Sequence, residues 1–117
     1  MLARLLIFAG GLCGATGVAL SAIAAHGAST NTATAATFLL VHAPALLAIG
    51  LLDFNALLRW AALLLVVGVS LFAADLVARD FADDRLFAMA APTGGMLMIL
   101  GWLGVAVSAL FPRSGFG

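Results

Sequence analysis

An all-α membrane protein, built as an antiparallel bundle of four spanning helices, is the fold this sequence predicts, and three observations predict it. Apolar residues make up 65% of the chain and charged residues only 9%, with a mean hydropathy of +1.24, far from the balance of soluble domains. The polar and charged residues gather into short clusters that separate four apolar runs. A chain of 117 residues has room for four spans with short connections, because a helix rising about 1.5 Å per residue crosses about 30 Å of hydrocarbon in roughly 20 residues. The runs cover 2–25, 35–52, 57–78 and 86–111 of a single domain, 1–117.

The first run carries Arg4 near its start and Gly10, Gly14, Gly17 and Ser21 at helical spacing, a stripe of small residues against which a neighbouring backbone packs closely. A cleavable signal peptide is the competing reading, with Arg4 as its basic end and "ALSAIAAHG" as its processing site. The run is longer than the usual signal core of about 7 to 15 residues, and a discarded peptide needs no glycine stripe. Cys13 is the single cysteine and reads as a small buried hydrophobe. His26 and Gly27 close the run, and an uncharged connection follows.

The second run contains "VHAPALL", with His42 two residues before Pro44. From a start near Ala35, His42 lies about 10 Å inside the span. Pro44 lacks an N–H and frees the carbonyl of Leu40, which in a membrane must find a donor within the protein or in trapped water. The connection to the third run holds Asp53, Arg59 and Trp60; Arg59 and Trp60, with Arg4 and Arg79, read as interface anchors. In the third run, Asp75 stands one turn before Arg79 and on the helical face of Gly68. An i to i+4 ion pair with Arg79 is the plain reading of Asp75, and an ion site is the sharper one. The Asp-rich connection that follows, with Asp80, Asp83 and Asp84, reads as solvated surface.

The fourth run opens on "APTGG", Ala91 to Gly95. If the helix starts near Leu86, Pro92 kinks it about 10 Å deep, frees the Ala88 carbonyl and leaves Gly94 and Gly95 for close packing. If instead Pro92 opens the helix, the preceding segment is interfacial. With both histidines, Asp75 and Thr93 on the face of the first and third connections, the sequence predicts a polar pocket of His26, His42, Asp75 and Thr93 in that half of the bundle. We call this the distal face. The plain reading of His42 is a neutral imidazole serving a freed carbonyl or a neighbouring helix, and the sharp one is a proton relay. The arginines divide three to two, with Arg4, Arg59 and Arg113 on the proximal side, which reads as cytoplasmic termini in a bacterial inner membrane.

No classical catalytic, phosphate-binding or metal-binding motif is present, so the chain reads as a non-enzyme with no cofactor and no metal. The separation of the histidines argues against a shared haem iron. Zero net charge argues against a nucleic-acid partner and leaves the lipid bilayer, further copies of the chain or a larger membrane complex as partners. A structural or accessory role demands least; transport of a proton, ion or small solute through the distal pocket is the alternative.

Taken together, "GVALSAIAAHG", "VHAPALL", "GVSLFAADL" and "APTGGMLMILGWL" resemble the YgdD-like family of small bacterial membrane proteins, a domain of unknown function. The resemblance rests on His26 with Gly27, His42 with Ala43, Pro92 with Gly94 and Gly95, and Gly101 with Trp102. It implies four inner-membrane spans and no established activity. The chain departs from that pattern at Val41, Pro44 and Asp75, and in a shorter first connection.

Overall fold

The computed structural model describes residues 1–27, 30–52 and 55–112. Four helices run up and down: α1 Leu2–Ala25, α2 Thr30–Leu51, α3 Ala56–Phe81 and α4 Ala90–Ser108. All four are long and apolar enough to cross a membrane.

Two boundaries differ most from the hydropathy reading, each for a local reason. Helix α2 starts five residues earlier than 35, taking "TNTAT" into its first turns, because a carboxylate from α3 meets the N–H groups that a polar first turn leaves open. Helix α4 starts four residues later than 86: Met89 adopts left-handed backbone (φ 69°), which a helix cannot include. Pro92 therefore falls in the first turn of α4, where the missing N–H costs least, and does not kink the helix. Ala88, whose carbonyl Pro92 was expected to free, lies outside the helix. Helix α2 continues without interruption through Pro44.

The helices pack mainly with their chain neighbours: α1 with α2, α3 with α4, and α2 with α3 between the hairpins, while α1 only grazes α3. Within each hairpin, glycines set the approach. A Cβ on Gly10 would lie 3.0 Å from the Ala43 carbonyl oxygen, and one on Gly17 2.7 Å from Leu40 Cγ. In the second hairpin a Cβ on Gly94 would lie 2.7 Å from the Phe72 nitrogen, and one on Gly68 2.9 Å from the Gly94 oxygen. Backbones this close gain dispersion contacts that larger side chains would prevent, which drives association where lipid tails are as apolar as leucine. Gly14 makes ordinary contact with Ala43, at 3.7 Å for an added Cβ. Gly95 does not belong to the close packing predicted for it, since a Cβ there would meet nothing within 4 Å. One residue of offset turns it about 100° away from the seam that Gly94 occupies.

Leu6, Leu46, Leu65 and Val69 are fully buried, while Phe8, Trp60, Phe87 and Leu103 stand outward, the inside-out surface expected in lipid.

Candidate functional site

The predicted pocket does not assemble. His26 and Thr93 are exposed, whereas His42 and Asp75 are buried and belong to two different clusters. His26 caps the end of α1, and Gly27 beyond it takes φ +107°, a backbone conformation that suits glycine and ends the helix. Thr93 is exposed in the first turn of α4, its N–H bonded to the Met89 carbonyl.

His42 forms the central cluster. Because α2 begins at Thr30, His42 lies twelve residues, about 18 Å, into the helix rather than 10 Å. Trp102 lies twelve residues into α4 and therefore at matching depth. The Trp102 indole Nε1–H donates to His42 Nε2 at 3.1 Å, and the rings meet at a centroid distance of 5.6 Å. Indole nitrogen is only a donor, so Nε2 accepts and the imidazole proton resides on Nδ1. That nitrogen lies 2.8 Å from the Phe38 carbonyl oxygen and donates to it. The carbonyl is thus Phe38's, one turn back, and not the Leu40 carbonyl beside Pro44. A neutral imidazole has both nitrogens satisfied, and a second proton on Nε2 would have to expel Trp102.

Asp75 forms the distal cluster, fully buried. Its Oδ2 accepts from Arg79 Nη2 at 2.9 Å, the i to i+4 pair. Its Oδ1 accepts from the Leu86 amide at 2.7 Å, and the Ala91 amide in the first turn of α4 also faces it. Met89, at the N-cap of α4, supplies no side-chain cap, and the α3 carboxylate is the anion that lies at this positive helix end.

Asp80 does the same for α2, which the reading of its cluster as solvated surface missed. Its Oδ2 accepts from the Thr32 N–H at 2.8 Å and from the Thr32 hydroxyl, and Oδ1 accepts from Asn31 Nδ2 at 3.2 Å. Thr32 is fully buried beneath it. At the proximal face Asn55 caps α3, accepting from Leu58 N at 2.8 Å, while its Nδ2 donates to the Ser108 carbonyl at 3.0 Å. The sequence reading passed over Asn55, although an asparagine just before an apolar run is the signal of an N-cap. Arg4, Arg59 and Trp60 are exposed towards the proximal ends of α1 and α3, and Arg79 is half-buried at the distal end of α3. Among the described residues, no group of three or more His, Cys or Asp side chains is placed to hold a metal ion.

A lateral cleft of about 270 Å³ lies between α1 and α3 over Leu39, and only Thr16 and Ser70 among its lining residues carry polar side chains. It contains neither His42 nor Asp75.

Comparison with known proteins agrees with this architecture. A UPF0382 membrane protein of Staphylococcus haemolyticus is 29% identical over 90% of this chain and 94% of its own length. A UPF0382 membrane protein of Staphylococcus epidermidis is 28% identical over 92% and 96% respectively. No solved structure matches the chain significantly. Residues 20–95 match the family described as "Protein of unknown function (DUF423)", a stretch that runs from the end of α1 through α2 and α3 to Gly95; on that match, which spans more than half of the chain, this four-helix membrane protein belongs to the DUF423 family.

Proposed function

We propose that the protein is a non-enzymatic structural or accessory component of the bacterial plasma membrane, acting through contacts with further copies of itself or with a larger membrane complex. One observation carries this reading: the buried polar side chains Thr32, His42, Asp75 and Ser108 are all bonded within the protein. Groups that conduct ions or protons face a cavity or a water path, whereas Thr32 and His42 tie α2 to α3 and α4, Asp75 ties α3 to the connection that follows it, and Ser108 bonds within α4. His42 is saturated by Trp102 and Phe38, and the lateral cleft is apolar. In this reading the termini are cytoplasmic, as the arginine bias favours.

The test is extraction of the full chain in a mild detergent, with identification of what co-purifies in stoichiometric amount and measurement of the oligomeric state. A stoichiometric partner or a defined oligomer is expected, and a persistently monomeric, solitary protein refutes the proposal. A pH-driven flux in proteoliposomes that His42→Phe abolishes would also overturn it, in favour of transport.

A further inference from the structure

We infer that Arg79 and Arg85 form a binding site for the phosphate of a lipid headgroup at the distal face. Asp75 divides its two oxygens between Leu86 and Arg79. A carboxylate facing an arginine can take both N–H groups of one guanidinium edge, but here Oδ1 is engaged by the Leu86 amide at 2.7 Å. Arg79 reaches the other oxygen, Oδ2, through Nη2 alone. Arg79 Nε has no acceptor, the one such buried side-chain atom among the described residues, while about 33% of the Arg79 side chain is exposed. The guanidinium, with one of its donors bonded to Asp75 and part of its side chain exposed, retains donors for an acceptor from outside the fold.

The same Leu86 bond fixes the backbone next to a second arginine at Asp75. Arg85 immediately precedes Leu86 and is exposed, and its side chain has no acceptor among the described residues. Asp84, its neighbour, accepts from the Arg85 backbone amide through Oδ1. One carboxylate therefore anchors two arginines, Arg79 through the side chain and Arg85 through the next residue's amide, and neutralises only one of them.

The surroundings set the depth and the kind of anion. Phe81, Leu86, Phe87 and Met89 are exposed by half or more and flank the arginines on the α3–α4 connection. Such side chains seat at the boundary of headgroups and acyl chains, which holds the guanidinium groups at phosphate level. Asp83 and Asp84 are exposed beside Arg85 and repel a free anion arriving from water. A phospholipid has its acyl chains against the apolar collar to offset that repulsion, which selects a lipid headgroup over phosphate in solution.

The test uses the full chain in detergent, titrated with phosphatidylglycerol and, separately, with inorganic phosphate, and compares it with Arg85→Gln by native mass spectrometry. Arg85 is exposed, so the variant is expected to fold; Arg79→Lys, which keeps a cation for Asp75 but loses the planar fork, is the second variant. Phosphatidylglycerol retention is expected to fall about fivefold in Arg85→Gln, from about 1 kcal/mol per interfacial arginine, and millimolar phosphate should not compete. Retention that falls in Arg85→Gln but is also abolished by phosphate makes the ligand phosphate in solution and overturns the lipid assignment. Equal retention by the wild type and both variants overturns the site altogether.

Discussion

Replacing Asp80 with alanine removes every acceptor that the structure shows α3 offering to the start of α2. The Thr32 amide and hydroxyl and the Asn31 side-chain amide all donate to this one carboxylate. Losing an N-cap costs about 0.5–2 kcal/mol, and losing a negative charge at a helix N-terminus costs about 0.3–1 kcal/mol. Thr32 is fully buried, so its hydroxyl adds the penalty of an unsatisfied group, about 1–3 kcal/mol. These contributions overlap, and we expect Asp80→Ala to destabilise the protein by about 2–4 kcal/mol. Asp80→Asn, which keeps an acceptor but not the charge, should cost less. The assay is unfolding in bicelles titrated with sodium dodecyl sulfate, followed by tryptophan fluorescence, with the exposed Asp83→Asn as a control expected to stay within about 0.5 kcal/mol of wild type. A double-mutant cycle with Thr32→Val should give a coupling of about 1 kcal/mol. An Asp80→Ala protein as stable as the Asp83→Asn control, or a cycle with no coupling, refutes the cross-helix cap.

Three further outcomes follow from the packing and the central cluster. Gly94→Ala drives a methyl into the Phe72 backbone and should destabilise by about 1–3 kcal/mol, whereas Gly95→Ala, with open space around it, should be neutral or stabilising by up to about 1 kcal/mol; the same unfolding assay reads the contrast, and equal effects would refute the assigned seam. Trp102→Phe and His42→Phe should show a coupling of about 0.6–1.7 kcal/mol, the range for hydrogen bonds between membrane helices, and nitrogen-15 spectra of the wild type should show the proton on Nδ1 alone. Asp75→Asn leaves Arg79 facing a neutral group and should destabilise by about 1–3 kcal/mol, below the cost of breaking a fully buried pair because Arg79 is one-third exposed. Asp75→Leu combined with Arg79→Leu should recover part of that loss, as thermal unfolding of the purified variants would register.

The four spans were legible because hydropathy alone marks a membrane helix, whichever way its faces turn. The Asp75–Arg79 pair was legible too, since both residues lie on one helix a turn apart. What joins different helices was not. Asp80 to Thr32, and His42 to Trp102, are separated by 48 and 60 residues, and such pairing depends on where each helix starts and how it is rotated. Five extra residues at the start of α2 moved His42 from beside "APTGG" to beside Trp102. In the Asp-rich connection, composition could not separate the capping Asp80 from the exposed Asp83 and Asp84, because all three have the same chemistry and only position distinguishes them.

Position also explains why two carboxylates stand near the end of α3, where the helix dipole of their own helix disfavours them. Antiparallel topology brings the beginnings of α2 and α4 to the face on which α3 ends, so an anion there is near two positive helix ends as well as one negative one. Asp75 and Asp80 are five residues apart, about 140° around the helix, which directs one to α4 and the other to α2. Arg79 lies between them in sequence and supplies the cation that the last turn of α3 favours. The distal end of α3 thus fastens both hairpins. Glycine seams hold each hairpin together, and the bonds from Asp80 to α2 and from Trp102 to His42 join one hairpin to the other. A relay built on His42 would have to break the second of those bonds each time it took up a proton, which is why the geometry favours a fixed assembly over a conducting one.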